Sequence, residues 1–107
     1  MVTTDAFVID LAAKRVAGAD GAEIRLTPTE WQIVEVLVRH AGKLVPQRQL
    51  LQEVWGPQYE TETNHLRVFM AQIRRKLEVD PSRPRHFLTE PGMGYRFEGE
   101  RLGSSDR

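Results

Sequence analysis

The spacing of apolar positions changes period twice along the chain. Residues 7–11 and 14–17 alternate in part between apolar and polar, and residues 22–26 follow a turn marked by Gly18, Asp20 and Gly21. That pattern predicts three short strands in an antiparallel meander. From Thr27 the period lengthens to that of a helix. Thr27-Pro28-Thr29-Glu30 is a start signal, with a capping threonine, proline in the first turn and a glutamate three residues after the cap. Trp31, Val34, Leu37 and Val38, with Ile33 alongside, form one apolar face, and Gly42 ends the helix near His40 or Ala41. Leu44-Val45-Pro46 reads as a brief extended link, with Pro46 opening a second helix that buries Leu50, Leu51, Val54 and Trp55. Gly56-Pro57 stops it, and residues 58–62 read as a loop. A third helix runs from Thr63, a plausible cap, to about Glu78, with Leu66, Met70, Ile73 and Leu77 in one stripe widened by Phe69. After a proline-punctuated connection, residues 86–90 and 95–98 flank Pro91-Gly92-Met93-Gly94, a hairpin whose two glycines are expected to supply φ > 0. Residues 1–99 then form one domain, and the Gly- and Ser-rich residues 100–107 a frayed tail.

The element order β-β-β-α-α-α-β-β describes an α+β fold, a winged helix-turn-helix. In such a fold the third helix would enter a DNA major groove and the hairpin would reach the flanking backbone or minor groove. The third helix supports this with its second face, which carries Asn64, Arg67, Val68, Ala71, Gln72 and Arg75 and no acid. Asn or Gln can pair bidentately with adenine, Arg with guanine, and Val or Ala can touch a thymine methyl. A basic amphipathic helix exposed to water gives the same pattern in isolation. His65 reads as a phosphate contact or a neutral surface histidine. Arg74, nearer the flank, suits a phosphate contact or an intramolecular salt bridge. Lys76 is expected to face solvent or the domain itself. Trp55 reads as core, with an indole N–H that could reach a phosphate.

Charge changes the picture only when it is divided. The 107 residues are neutral overall, but residues 1–62 carry a net −3 and residues 63–107 a net +3. Screening limits exposed charges to about 10 Å, so a neutral domain can present a basic face. The length suits one domain. Absence of cysteine excludes disulfides and thiol chemistry. The first residues lack the pattern of a signal peptide, and no apolar run approaches the ~18 residues of a membrane span, so a cytoplasmic protein with no membrane partner is expected. His40, His65 and His86 show no metal-ligand spacing, and the serines lie in a proline-rich link and the tail. No metal, cofactor or catalytic role is expected.

The motifs together resemble the effector domain of OmpR/PhoB-type response regulators. The resemblance lies in LTPTEWQIVEVLVRHAGKLV at residues 26–45, QLLQEVWG at 49–56, TNHLRVFMAQIRRKLE at 63–78 and GMGYRF at 92–97. EVWGPQYETETNHLRVFMAQIRRKLE and DPSRPRHFLTEPGMGYRF further resemble the Kdp-type branch, regulators of a high-affinity potassium-uptake operon. The resemblance implies binding to double-stranded promoter DNA as a homodimer on tandem half-sites. It also implies contact with RNA polymerase through the loop at Gly56, Pro57, Gln58 and Tyr59. A sensor histidine kinase would act through a receiver domain whose pattern these residues lack. The wing residues Gly92, Met93, Gly94 and Tyr95 would meet phosphates, with hairpin packing the alternative for Tyr95. Several relatives carry a basic wing-tip residue where this chain has Pro91, which puts minor-groove reading by the wing in question. The rival reading is a winged helix that binds protein or double-stranded RNA. A protein-docking face would carry more large apolar side chains than this one.

Overall fold

The computed structural model describes residues 1–59 and 63–99, apart from the side chains of Tyr59, Thr63 and Asn64. Four strands open the chain as one antiparallel sheet in sequence order: β1 (Val2–Thr3), β2 (Phe7–Asp10), β3 (Arg15–Gly18) and β4 (Glu23–Ile24). The pattern predicted three of them. β1 is two residues long, too short to show alternation, and is placed by pairing Val2 with Ile9 and Thr3 with Val8. Thr4 turns the chain between β1 and β2 by accepting the N–H groups of Ala6 and Phe7 on its hydroxyl. Phe7 and Ile9 point into the core, while Val8 and Asp10 are half-buried.

The first helix, α1 (Pro28–Arg39), starts as the sequence predicts. The Thr27 hydroxyl accepts the Glu30 N–H at 3.2 Å, and the Glu30 carboxylate accepts the Thr27 N–H at 2.9 Å. Glu30 is only 1% exposed, and Lys76 completes its satisfaction at 2.6 Å. Past the helix, Gly42 takes φ +82°, which favours glycine.

Two readings of the next segment are corrected. Residues 44–46 are not a mere link but a strand, β5 (Leu44–Pro46), and Pro46 precedes α2 (Gln47–Trp55) as its N-cap rather than opening it. β5 pairs with β7 (Gly94–Phe97), which also pairs with β6 (Phe87–Glu90), giving a three-stranded sheet in the order β5-β7-β6. Three residues carry no readable period, and proline is tolerated because β5 lies at the edge. Gly94 is also corrected. Of the two hairpin glycines only Gly92, at φ +74°, has positive φ. Gly94 is required for a different reason: a Cβ there would lie 2.1 Å from the Val45 carbonyl oxygen, so it lets β5 and β7 approach.

α3 (Thr63–Leu77) buries Leu66, Met70, Ile73 and Leu77, the predicted stripe, against α1 and α2. Each such side chain contributes roughly 1.5–3 kcal/mol of burial. Beneath the hairpin, Phe7 meets Phe87 and Phe97 at ring separations of 5.9 and 6.4 Å. These contacts root the hairpin on the N-terminal sheet. No helix of the described residues is long and apolar enough to cross a membrane.

Candidate nucleic-acid interface

With its stripe sealed, α3 turns Arg67, Val68, Ala71 and Arg75 to the surface, and Gln72 lies half-buried beside them. Val68 is 56% exposed, an unusual setting for a branched aliphatic and one suited to a methyl group. Arg67 and Arg75 form no salt bridge with any described residue. His65 is exposed and stands 6.4 Å from the Trp55 ring. Asn64 and Tyr59 were both expected to contribute, but their side chains lie outside the described residues, as does the proposed Thr63 cap.

Arg74 differs from the other arginines. Its Nε donates to the Phe87 carbonyl at 2.8 Å, and its Nη2 donates to the Thr89 hydroxyl at 2.6 Å. Its guanidinium lies 6.0 Å from the centre of the Tyr95 ring. Burial pulls its pKa below the ordinary arginine value, opposed by Tyr95 and Glu78. The expectation was a phosphate contact or a salt bridge. The structure instead turns Arg74 onto the hairpin, because two acceptors of β6 lie within its reach. Lys76 is likewise held by the domain, at the Glu30 carboxylate and, at 3.0 Å, the Arg25 carbonyl.

The hairpin forms the wing. Pro91, Gly92 and Met93 are exposed at its tip, Met93 by 59%. Gly94 and Tyr95 are buried, Tyr95 to 4% exposure, so the packing alternative holds for Tyr95 and neither residue presents a surface. Burial raises the Tyr95 phenol pKa, against the pull of Arg74 and Arg67. The Met93 N–H is spent in the turn on the Glu90 carbonyl. Arg96 of β7 is neutralised by Glu90 at 3.0 Å and donates to the Gly42 carbonyl.

Two features were not singled out in the sequence. The Gln47 N–H donates to the Met93 carbonyl at 3.2 Å, bringing the start of α2 beside the wing tip. Exposed Arg48 follows immediately, and α2 has no side-chain cap. No local pattern marks Arg48, because its position depends on the long-range pairing of β5 with β7. Trp55, half-buried at the end of α2, packs 5.6 Å from the Phe69 ring. Gly56, at φ +113°, leads into a 3-10 turn at Pro57–Tyr59, in which Pro57 and Gln58 are exposed. Residues 60–62, the rest of the segment read as a loop between the second and third helices, lie outside the described residues.

Residues 21–97 match the family described as "Transcriptional regulatory protein, C terminal". The chain is similar to the transcriptional regulatory protein KdpE of Mycobacterium tuberculosis, at 62% identity over 98 residues, covering 92% of this chain and 43% of that protein. It is also similar to the KDP operon transcriptional regulatory protein KdpE of Escherichia coli, at 52% identity over 89 residues, covering 83% of this chain and 39% of that protein. The chain thus spans about two fifths of the length of these curated relatives. Among solved structures, the DNA-binding domain of CpxR from E. coli aligns with a TM-score of 0.74 at 28% identity, covering 92% of this chain and 95% of that one. The Klebsiella pneumoniae RstA DNA-binding domain, solved in complex with the RstA box, aligns at 0.78 and 23% identity over 91% and 95% of the two chains, a likeness of fold.

Proposed function

The chain belongs to the OmpR/PhoB-type DNA-binding domains of transcriptional regulators, and on that premise we propose that α3 reads promoter DNA in the major groove while the wing rests on the flanking backbone. The observation that carries this is the division of α3. Four apolar side chains are sealed on one side, and Arg67, Val68, Ala71 and Arg75 stand exposed on the other, with no acid on the helix. In this reading Arg67 takes guanine, Gln72 or Asn64 takes adenine, and Val68 and Ala71 meet thymine methyls. Arg75, His65, Arg48 and the indole N–H of Trp55 supply phosphate contacts that set register. The wing tip offers shape and the backbone of Pro91–Gly92, without a cation for the minor groove.

The KdpE relatives support control of a potassium-uptake operon by the longer protein. The same family supports a receiver domain addressed by a sensor histidine kinase, a tandem homodimer on DNA, and contact of Gly56, Pro57, Gln58 and Tyr59 with RNA polymerase. A promoter-bound role would be exercised in the cytoplasm. Selection of random duplexes on the purified chain tests the reading. One recovered motif, bound with an affinity that falls steeply with salt through counterion release, is the expected result. An affinity flat between low and physiological salt, or no enriched motif, would overturn it.

A further inference from the structure

Arg74 and Glu78 lie one helical turn apart, at the end of α3 and just beyond it, and both bind β6 or the residues leading into it. Arg74 takes the Phe87 carbonyl and the Thr89 hydroxyl. Glu78 is nearly buried, and its carboxylate accepts three successive N–H groups, those of Arg85, His86 and Phe87, at 2.9, 2.9 and 2.7 Å. β6 is an edge strand, paired with β7 on one side. The edge N–H and C=O of Phe87, which would otherwise be open, are both taken by these two side chains. The wing is therefore gripped from the recognition helix by a cation on its acceptors and an anion on its donors.

We propose that Arg74 and Glu78 are positioning residues for DNA binding: they fix the angle between α3 and the wing, so that the wing tip meets the backbone when α3 sits in the groove. The proposal rests on the DNA reading above. The wing makes the grip matter. Its tip carries no cation of its own, so its own contact with the backbone depends on placement. From Phe87 to the turn is a lever of roughly 13 Å, four residues at ~3.3 Å each. A tilt of about 10° at the grip moves the tip by about 2 Å, more than a hydrogen bond tolerates. Arg74 has two of its donors committed to β6, and it is the half-buried arginine of the helix.

The test uses Arg74→Lys, Arg74→Ala, Glu78→Gln and Thr89→Val, with the duplex recovered by selection as probe. Arg74→Lys keeps the charge but cannot bond both acceptors in a fork. Expected for Arg74→Lys, Arg74→Ala and Glu78→Gln is a loss of about tenfold in affinity, the worth of one or two backbone contacts. Hydroxyl-radical protection disappears under the wing, while guanine N7 protection under α3 persists. Residual dipolar couplings of the free protein show β6 and β7 reoriented relative to α3, a readout that needs no DNA. Thr89→Val removes a single bond at an exposed site and leaves a folded chain with partial loss of wing protection. A phosphate-contact role for Arg74 predicts otherwise. Arg74→Lys then binds like the wild type, and Glu78→Gln, having lost an acid, binds equally or more tightly. Either result, or equal loss of both protections in a folded variant, overturns the proposal. A wild-type chain that protects no duplex instead overturns the DNA reading itself, even with the couplings unchanged.

Discussion

The four basic residues of α3 divide into two pairs with opposite fates. Arg67 and Arg75 stand at the surface without a salt bridge to any described residue, whereas Arg74 and Lys76 are folded back onto β6 and onto the start of α1. All four lie within 10 residues of one helix, and charge does not separate them. What separates them is whether an acceptor from another element lies within reach. Arg74 finds an edge strand, Lys76 finds a buried glutamate, and the outer pair finds no ion-pair partner among the described residues. A count of cations along a recognition helix therefore overstates its phosphate contacts, because here two of the four serve the domain. The wing deepens the contrast, since Arg96 is held by Glu90. In the proposed reading the outer pair and Arg48 supply the electrostatics, and Arg74 supplies geometry.

The largest expected effect comes from removing the frame on which both pairs stand. Met70 is fully buried in the stripe beneath α3. Met70→Ala is expected to cost about 2–5 kcal/mol in stability, measured by urea unfolding. Its DNA affinity, measured where the variant is still folded, should stay near the wild-type value. A cost below about 1 kcal/mol would mean that the stripe is not what docks the helix. Next in size is the outer face itself. Arg67→Ala and Gln72→Ala are each expected to weaken binding to the selected duplex by about 1–3 kcal/mol and to relax base preference. Stability should move by no more than about 0.5 kcal/mol for exposed Arg67. Equal losses on selected and random DNA would make them phosphate contacts and erase the division between reading and positioning.

How much of this was legible in the sequence depends on the range of the interaction. The capping box at Thr27 and Glu30, the apolar stripe of α3 and its acid-free outer face are all local or periodic, and the structure shows each where the pattern places it. β1 and β5 were missed because two or three residues hold no period, and they exist through their partners. Gly94 was read as a turn residue, because the sequence does not reveal that the Val45 carbonyl crosses where its side chain would be. Arg74 looked like its neighbours on the helix for the same reason. Its acceptors lie 13 and 15 residues away, on a strand whose edge is exposed only by the sheet order. The expected base contacts themselves come from residue chemistry, and the fold contributes only their exposure.

The smallest expected effect lies at the root of the wing, and it asks whether the grip has a second anchor. Asp5, between β1 and β2, accepts from Arg85 at 3.0 Å, two residues before β6, and stands 3.8 Å from Nε2 of His86. The Arg85 hydrogen bond holds the Asp5 carboxyl below its ordinary pKa; desolvation opposes this, and the charges of Arg85 and His86 add to it. A depressed carboxylate contributes stability that is present above its unfolded pKa of ~3.9 and is lost as pH falls through the lower folded value. Asp5→Asn should therefore be slightly less stable than the wild type at neutral pH, since an exposed pair contributes little. The two urea midpoints should converge as pH falls below about 4. A gap that persists in acid would assign Asp5 a role through shape rather than charge. DNA affinity at neutral pH should hardly change if Arg74 and Glu78 alone set the wing. A loss of wing protection in Asp5→Asn comparable to that in Arg74→Lys would show instead that the N-terminal sheet shares in aiming the wing.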